Sequence, residues 1–306
     1  MIKEIPNGVF PTMLTPFTDD NKVDYNGVEQ LIEWYSKKGV DGIFAICQSS
    51  EIFYLSFEER LELLKFIMKN APKDMCIVAS GHVEDDMDTA VYQAQQFIDQ
   101  GIDAYVFISN RLAKEDESDD VFLKNIEHFA SSIPEIALGI YECPYPYKRL
   151  LSPYVMKRLS QTGSFRFLKD TCCDTMQISK KLDAVKDSGF KIYNANAATL
   201  LETLKLGVSG YSGVMANFHP EIYSELCKCY KTDEKRAQEL QDFVGFFSVA
   251  ECQMYPVNAK YYLTLDGLDI TYKCRVKNAD DFTRNRKLEI DQMHALTQRF
   301  KENHNI

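Results

Sequence analysis

Residues 135–173, EIALGIYECPYPYKRLLSPYVMKRLSQTGSFRFLKDTCC, contain the pattern that decides the fold. They begin with the almost continuously apolar run IALGIY, continue through an amphipathic stretch that starts at Ser152 and Pro153, and end with a second strand-like run, FRFLK. A strand that is apolar on both faces is typical of a parallel sheet covered by helices. Proline suits the first position of a helix, because its missing N–H has no partner there. The segment therefore predicts a strand–helix–strand unit.

The same alternation of strand-like and amphipathic stretches recurs along most of the chain. Strands are predicted at residues 8–17, 40–47, 75–80, 103–109, 136–141, 165–169, 191–194 and 210–215. Eight such units fit before about residue 230, and because eight parallel strands close a (β/α)8 barrel, we predict an α/β protein with a TIM-barrel fold. A doubly wound sheet is the alternative, but no G-x-G-x-x-G follows the first strand and the sequence contains no P-loop.

The C-terminal quarter of the chain has a different character. Residues 232–252, 256–265 and 280–301 show helical periodicity with few strand signals. We therefore predict two parts. Residues 1–230 form the barrel that carries the active site, and residues 231–306 form a helical appendage packed on it.

The composition excludes several classes of protein. The chain has 306 residues, of which 45% are apolar and 26% are charged, as in a globular protein with a sizeable core. Its net charge of −10 disfavours binding to a nucleic-acid backbone. The sequence has no apolar run long enough for a membrane span, and the opening MIKEIPNGVF lacks the apolar core of an export signal. We expect a cytoplasmic protein whose nine cysteines are reduced thiols.

Two polar side chains end neighbouring predicted strands. Lys169 ends the run FRFLK, and Tyr141 ends IALGIY. In (β/α)8 barrels the chemistry lies at the C-terminal ends of the strands. A lysine that points into the barrel is desolvated, which lowers its pKa and prepares it for Schiff-base formation; the alternatives are a lysine at the rim or one paired with Asp170. A tyrosine on the next strand, about 4.8 Å away, can move protons to and from a bound substrate, or it can simply cap the core.

The second strand ends in CQSSE, residues 47–51. Hydroxyls and backbone N–H groups in such a turn form a pocket for a carboxylate, which gives Ser49 and Ser50 a candidate role in binding. The alternative is ordinary serine turn chemistry.

Four cysteines also fall near strand ends, namely Cys47, Cys143, Cys172 and Cys173. Their spacing fits no standard zinc pattern, and vicinal cysteines rarely bind one ion together. We predict that they are packing residues and that the protein has no metal site.

Five segments, in order along nearly the whole chain, carry a family resemblance. They are the opening GVFPTMLTPFTDDNKVDYNGVEQLIEWYSKKGVDGIF, then YECP, LKDTCCD, GYSGVMANFHPE and YPVNAKYYL. YECP resembles the pattern Y-N-x-P and LKDTCCD resembles K-x-T-x-x-D, two patterns of the dihydrodipicolinate synthase / N-acetylneuraminate lyase family of pyruvate-dependent class I aldolases. The chain resembles a divergent member of this family.

The resemblance implies a (β/α)8 barrel with a C-terminal helical segment, commonly assembled as a homotetramer, with a homodimer as the alternative. It implies that Lys169 is the Schiff-base lysine, that Tyr141 is the proton relay, and that the substrate is pyruvate or a related 2-oxo acid. No metal or organic cofactor is implied, since the lysine itself forms the covalent imine. The substrate-binding residues that it implies are Ser49, Ser50, Gln48, Thr171 and Val214.

The chain departs from the family pattern in the carboxylate loop. That loop usually reads G-T-T-G-E or G-S-T-G-E, whereas this chain has CQSSE. Gln48 replaces a hydroxyl, and Cys47 and Ser50 replace both glycines. Because a side chain restricts how closely backbone approaches a ligand, we expect 2-oxo acid binding with altered geometry.

The chain also departs from the family in its specificity residues. Residues 108–111 lack the second tyrosine of dihydrodipicolinate synthases, and residues 195–198 lack the acidic side chains of sialic acid lyases. Both of those activities lose support. Candidate contacts for an acidic substrate tail are Arg111, Lys148 and Arg149, which can equally be solvated rim charges.

The sequence predicts a class I lyase that makes or breaks a C–C bond through an imine on Lys169. One alternative is a 2-keto-3-deoxy acid dehydratase that uses the same imine. Another is a non-catalytic barrel that only binds a keto acid. Exchange of the C3 protons of the bound keto acid with solvent separates the last reading from the others, because a binding protein need not enolise its ligand.

Overall fold

A computed structural model describes residues 2–306, and its centre is an eight-stranded parallel barrel. The strands are β1 (Gly8–Val9), β2 (Gly42–Phe44), β3 (Cys76–Ala79), β4 (Ala104–Ile108), β5 (Ala137–Tyr141), β6 (Phe165–Asp170), β7 (Lys191–Asn194) and β8 (Gly210–Tyr211). Each strand pairs with its sequence neighbour, and β1 pairs with β8. A parallel bridge between Thr12 and Phe44 joins β1 to β2 and closes the barrel. The predicted fold is confirmed.

Helices surround this barrel and continue beyond it. They are α1 (Tyr25–Lys37), α2 (Phe57–Asn70), α3 (Met87–Ile98), α4 (Asp119–Ser131), α5 (Pro153–Ser160), α6 (Thr175–Val185), α7 (Leu200–Leu206), α8 (Pro220–Cys229), α9 (Glu234–Phe247), α10 (Val257–Leu265) and α11 (Arg284–His304). None of the helices within residues 2–306 combines the length and the apolar character that a membrane span requires.

The first and last strands are much shorter than predicted. Gly8 and Val9 pair with β8, and Pro11, which has no N–H to donate, follows soon after them; beyond it the chain forms only a single bridge to β2, from Thr12 to Phe44. At the other end, the backbone turns after Tyr211 into a 3₁₀ helix at Val214–Asn217. The predicted runs 8–17 and 210–215 therefore include the loops that rise from the barrel.

Side-chain caps mark the starts of α2 and α5, of which the start at Ser152 and Pro153 was predicted. The Ser56 hydroxyl accepts the backbone N–H of Glu59, and the Glu59 carboxylate accepts the backbone N–H of Ser56. The Ser152 hydroxyl caps α5 by accepting the backbone N–H of Val155, with Pro153 at the first position of the helix. These local contacts set where each helix leaves its loop.

Aromatic rings fill the barrel below the C-terminal ends of the strands. Phe167 lies 4.6 Å from Tyr193 and 6.0 Å from Phe44, ring centre to ring centre, and 5.5 Å from Phe10. All four side chains have no accessible surface. Because side chains alternate along a strand, Phe167 shares its face with Lys169 and forms the floor beneath it.

The C-terminal helices are tied to the loop after β2 by a buried ion pair. Lys260 of α10 lies 2.8 Å from Glu51, and both side chains are inaccessible to solvent. The other Glu51 carboxylate oxygen accepts the backbone N–H groups of Arg275 and Val276, at 2.6 and 2.9 Å. Breaking a buried pair leaves an uncompensated charge, so this contact holds the C-terminal segment against the barrel.

Replacing Phe167 with alanine is expected to lower the free energy of unfolding by about 3–5 kcal/mol, because it empties the centre of the barrel. The matched control is Phe246→Ala, whose ring is 72% exposed and whose loss is expected to change stability by less than about 0.5 kcal/mol. Urea unfolding followed by circular dichroism measures both. Equal effects of the two substitutions would contradict the packing described here.

Candidate active site

Lys169 and Tyr141 lie side by side at the C-terminal ends of β6 and β5. They are direct partners in the parallel ladder. The Lys169 Nζ atom stands 4.3 Å from the centre of the Tyr141 ring and 5.9 Å from that of Phe44. Lys169 is only 3% exposed, so it points into the barrel, and the alternative of a lysine at the rim is wrong.

The Lys169 amine is free of protein acceptors among residues 2–306 and is desolvated. Burial lowers its pKa to about 8, because the low-dielectric interior disfavours the charged form. Asp170, the other partner considered from the sequence, instead accepts a hydrogen bond from Lys181 at 2.5 Å. An amine whose pKa lies this close to neutral pH, and which donates to no protein group, can act as a nucleophile.

Tyr141 is oriented by the loop after β2. Its hydroxyl donates to the side-chain oxygen of Gln48 at 3.0 Å, and the Cys143 thiol approaches the same oxygen at 3.6 Å. Burial raises the pKa of Tyr141 well above its ordinary value, so the phenol keeps its proton at neutral pH. The structure thus joins Gln48 to the Lys169–Tyr141 pair.

The two serines of the same loop have different surroundings. The Ser50 hydroxyl lies 2.6 and 2.9 Å from the carbonyl oxygens of Met13 and Ala45, and it accepts the backbone N–H of Cys47. It is therefore occupied by backbone. The Ser49 hydroxyl instead donates to the Thr12 hydroxyl at 2.9 Å. The Ser49 hydroxyl can therefore turn to donate to a ligand, and its oxygen can accept a hydrogen bond.

The loss of both family glycines does not strain this loop. Cys47 has an extended backbone, with φ of −155° and ψ of −171°, and the left-handed conformation falls on Glu51, with φ of 61°. The contacts of Glu51 with Lys260 and with the backbone of Arg275 and Val276 hold it in that conformation. The loop therefore tolerates side chains where the family has glycines.

The remaining predicted binding residues lie at the rim of this site. Thr171 follows β6, but its N–H and hydroxyl both donate to Glu142, to the carboxylate at 3.0 Å and to the carbonyl at 2.7 Å. Val214 begins the 3₁₀ helix after β8 and is half-buried.

The three candidate cations differ in what they bind. The Arg149 guanidinium donates to the carbonyls of Lys114, Glu117 and Ser118, so its contacts are structural. Arg111 contacts the exposed carboxylate of Asp85 at 3.0 Å and stacks over the Phe53 ring. Lys148 donates to the Thr171 carbonyl at 2.9 Å.

Sequence reasoning missed a hydroxyl cluster beside Ser49. The Tyr255 hydroxyl, carried by the turn before α10, lies against Ser49 and Thr12 and accepts a hydrogen bond from the Asn217 amide at 3.0 Å. Burial raises the pKa of Tyr255 above its ordinary value. The family-like segment YPVNAKYYL begins with this tyrosine, but its role in the site was not predicted, because Thr12, Ser49 and Asn217 lie in other loops far from it in the chain.

The cysteines near the strand ends occupy separate positions. Cys47 and Cys143 are buried near Lys169, Cys172 is half-buried and Cys173 is exposed. Within residues 2–306, no three or more histidine, cysteine or acidic side chains are arranged to hold a metal ion.

Together these groups make a site for a carbonyl compound at the mouth of a (β/α)8 barrel. The Lys169 amine of β6 lies 4.3 Å from the ring centre of Tyr141 of β5, and the Tyr141 hydroxyl contacts the loop after β2 through Gln48. The model of the Dihydrodipicolinate synthetase family matches residues 5–290, and the chain belongs to this family.

Relatives in this family are distant. The chain is 28% identical over 236 residues to a 4-hydroxy-tetrahydrodipicolinate synthase of Methanothrix thermoacetophila, covering 76% of this chain and 77% of that protein. It is 24% identical over 283 residues to the synthase of Acetivibrio thermocellus, covering 92% and 94%.

Solved structures confirm the fold. A prophage protein of the dihydrodipicolinic acid synthase family from E. coli K12, crystallised with pyruvate, superimposes with a TM-score of 0.86 at 22% identity, covering 96% of this chain and 98% of that one. A sialic acid aldolase of Ruminococcus gnavus superimposes with a TM-score of 0.85 at 19% identity, covering 97% and 99%.

The reactivity of Lys169 is expected to rise with pH around a midpoint near 8. At that pH about half of a group with pKa 8 is free amine, against roughly 0.3% of an ordinary lysine. Reductive methylation, mapped by peptide mass spectrometry from pH 6 to 11, measures the midpoint, with a short lysine peptide as reference. A midpoint above 10 would show that the amine is not desolvated in solution.

Proposed function

We propose that this protein is a class I lyase that forms a Schiff base between Lys169 and pyruvate or a related 2-oxo acid, and then makes or breaks a C–C bond. The observation that carries the proposal is a buried amine of lowered pKa, without a protein acceptor in residues 2–306, directly beside a buried phenol. Membership of the Dihydrodipicolinate synthetase family supports it, as do relatives named 4-hydroxy-tetrahydrodipicolinate synthase and a structural neighbour crystallised with pyruvate.

The reaction begins at the Lys169 nitrogen. Its lone pair attacks the C2 carbonyl of the keto acid, and the carbonyl oxygen takes a proton to give a carbinolamine. Loss of water then leaves a protonated imine. That cation accepts the electron pair released when a C3–C4 bond breaks, or when a C3 proton leaves to form an enamine that attacks an aldehyde.

Tyr141 serves the proton transfers of this sequence. Its raised pKa keeps the phenol protonated, so it donates to the carbinolamine oxygen and recovers a proton later. In the protein without substrate, the Gln48 side-chain oxygen accepts a hydrogen bond from the Tyr141 hydroxyl. That hydrogen bond holds the phenol in place until substrate arrives.

The carboxylate of the keto acid is bound beside the loop of residues 47–51. Ser49 and the adjacent backbone N–H groups are the donors that we assign, whereas Ser50 supports the loop through Met13 and Ala45. Thr171 and Val214 shape the rim.

The proposed chemistry requires no metal or organic cofactor, because the imine itself is the electron sink. A cytoplasmic location and a homotetrameric or homodimeric assembly stay predictions. The division of the chain near residue 230 also stays a prediction.

Incubation with pyruvate and sodium borohydride is expected to reduce the imine and leave a stable adduct on Lys169, read by intact mass and peptide mapping. Lys169→Ala is expected to abolish the adduct, because no amine remains at the site. Lys235→Ala, a change at a side chain that is 90% exposed, is the control and should be trapped as well as the wild type.

Two results would count against this proposal. Full turnover by Lys169→Ala would exclude imine chemistry. Failure of the wild type to trap any member of a panel of 2-oxo acids would favour the barrel that binds a keto acid without catalysis.

Tyr141→Phe is expected to slow exchange of the C3 protons of pyruvate by about 10²–10⁴-fold, because it removes the acid–base group and keeps the ring. Proton NMR in D₂O measures the exchange, and Tyr92→Phe, at a half-exposed ring, is the control. An unchanged rate in Tyr141→Phe would assign the proton transfers to another group.

A further inference from the structure

Three charged side chains form a fully buried cluster directly behind the Lys169–Tyr141 pair. Lys181 of α6 lies 2.6 Å from Glu142 and 2.5 Å from Asp170. The accessible fractions of the three side chains are 1%, 0% and 0%. The proposed reaction uses none of them, and we call Glu142, Asp170 and Lys181 the rear triad.

The rear triad is adjacent in sequence to both reacting residues. Glu142 follows Tyr141, and Asp170 follows Lys169. Because successive side chains point to opposite faces of a strand, Tyr141 and Lys169 face the barrel interior while Asp170 faces outward to α6. The Lys181 ammonium therefore lies outside the barrel, next to the site, and links the ends of β5 and β6 through Glu142 and Asp170.

Glu142 also ties together the two loops that follow these strands. Its carboxylate accepts the backbone N–H of Leu151 at 2.8 Å and that of Thr171 at 3.0 Å. Its own N–H donates to the Lys169 carbonyl at 3.3 Å. Residues 143–150, which include Tyr145 and Lys148 at the mouth, are thus a loop closed at both ends by one residue.

The charges of the rear triad make Lys181 indispensable to it. Two carboxylates share one ammonium, and the rest of their solvation comes from backbone N–H groups, including that of Cys172 to Asp170 at 2.9 Å. Burial raises the pKa of Glu142, and Lys181 opposes that rise. Without Lys181 the two carboxylates would repel each other across the junction of β5 and β6.

In the family pattern Y-N-x-P an asparagine follows the tyrosine, whereas this chain has Glu142 there. Asparagine carries no charge and would need no ammonium behind it. Glu142 therefore adds a second buried carboxylate beside Asp170, and Lys181 is the ammonium that contacts both.

We propose that Glu142 and Lys181 are positioning residues: with Asp170 they fix the separation of Tyr141 and Lys169 and hold the loop of residues 143–150 over the mouth. The expected effect on kcat rests on the proposed function, whereas the expected effect on the loop of residues 143–150 does not. A displacement of about 1 Å at reacting groups can cost 100-fold in rate, so the role is visible in kcat.

The test compares Lys181→Met, Glu142→Gln and the paired change Glu142→Gln/Lys181→Met, which removes one negative and one positive charge together. Lys181→Arg is the conservative variant. The matched control is Lys38→Met, because Lys38 also bridges two carboxylates, Glu221 at 2.9 Å and Asp266 at 3.2 Å. Lys38 follows α1, and its two partners lie at the start of α8 and at the end of α10, so it contacts no member of the rear triad.

Two readouts are measured on each folded variant. In Lys181→Met, kcat for C3 proton exchange of pyruvate is expected to fall by about 10–100-fold with little change in KM, and Lys181→Arg is expected to recover most of it. Amide hydrogen exchange of residues 143–151 is expected to accelerate in Lys181→Met and in Glu142→Gln. Lys38→Met, which also removes an ammonium between two carboxylates, should change neither readout.

The outcomes separate the two proposals. If Lys181→Met does not fold, the paired variant supplies both readouts. Wild-type kinetics and exchange in the variants, or the same losses in Lys38→Met, would overturn the positioning role. Absence of imine trapping in the wild type would overturn the proposed function, and the hydrogen-exchange result would still decide whether the rear triad holds the loop.

Discussion

The desolvation of one amine, that of Lys169, is the constraint on which the rest of the site depends. A lysine inside a barrel loses its hydration, and its charged form then costs free energy unless the proton leaves. The aromatic floor of Phe44 and Phe167 keeps water out, and the ladder places Tyr141 alongside. The chemistry therefore requires a closed and tightly packed barrel. The bridge between Thr12 and Phe44 contributes to the site because it closes the barrel around Lys169.

The protein meets this constraint by keeping full charges behind the barrel wall. Lys181 is shared by the carboxylates of Glu142 and Asp170 outside β5 and β6, and Lys260 neutralises Glu51 beneath the C-terminal helices. Buried ion pairs of this kind are poor sources of net stability, but their members cannot be removed singly without cost. They fix the ends of the loops that form the mouth, while the interior itself presents an amine, phenols, hydroxyls and thiols.

Much of this arrangement could be predicted from periodicity and position in the chain. The apolar runs identified the strands, and Lys169 and Tyr141 followed from standing at two strand ends. Strands β3 to β7 were predicted to within one residue at each end and β2 to within three. Strands β1 and β8 end well before predicted, because a proline follows β1 and the backbone turns after β8. Ser50 shows the same limit in the site. A serine side chain can donate a hydrogen bond to a substrate carboxylate, but the Ser50 hydroxyl donates to the Met13 carbonyl, which lies 37 residues earlier in the chain.

The sequence by itself determined the number of strands, the position of Lys169 and Tyr141 at two strand ends and the residue types there, since strand and helix periodicity acts between neighbours in the chain. Only the tertiary structure decided the partners. Asp170 binds Lys181 rather than Lys169, Tyr141 donates to Gln48, and Tyr255 reaches Ser49. A hydrogen bond depends on a few tenths of an ångström between atoms from distant segments, and that separation exists only once the barrel has closed.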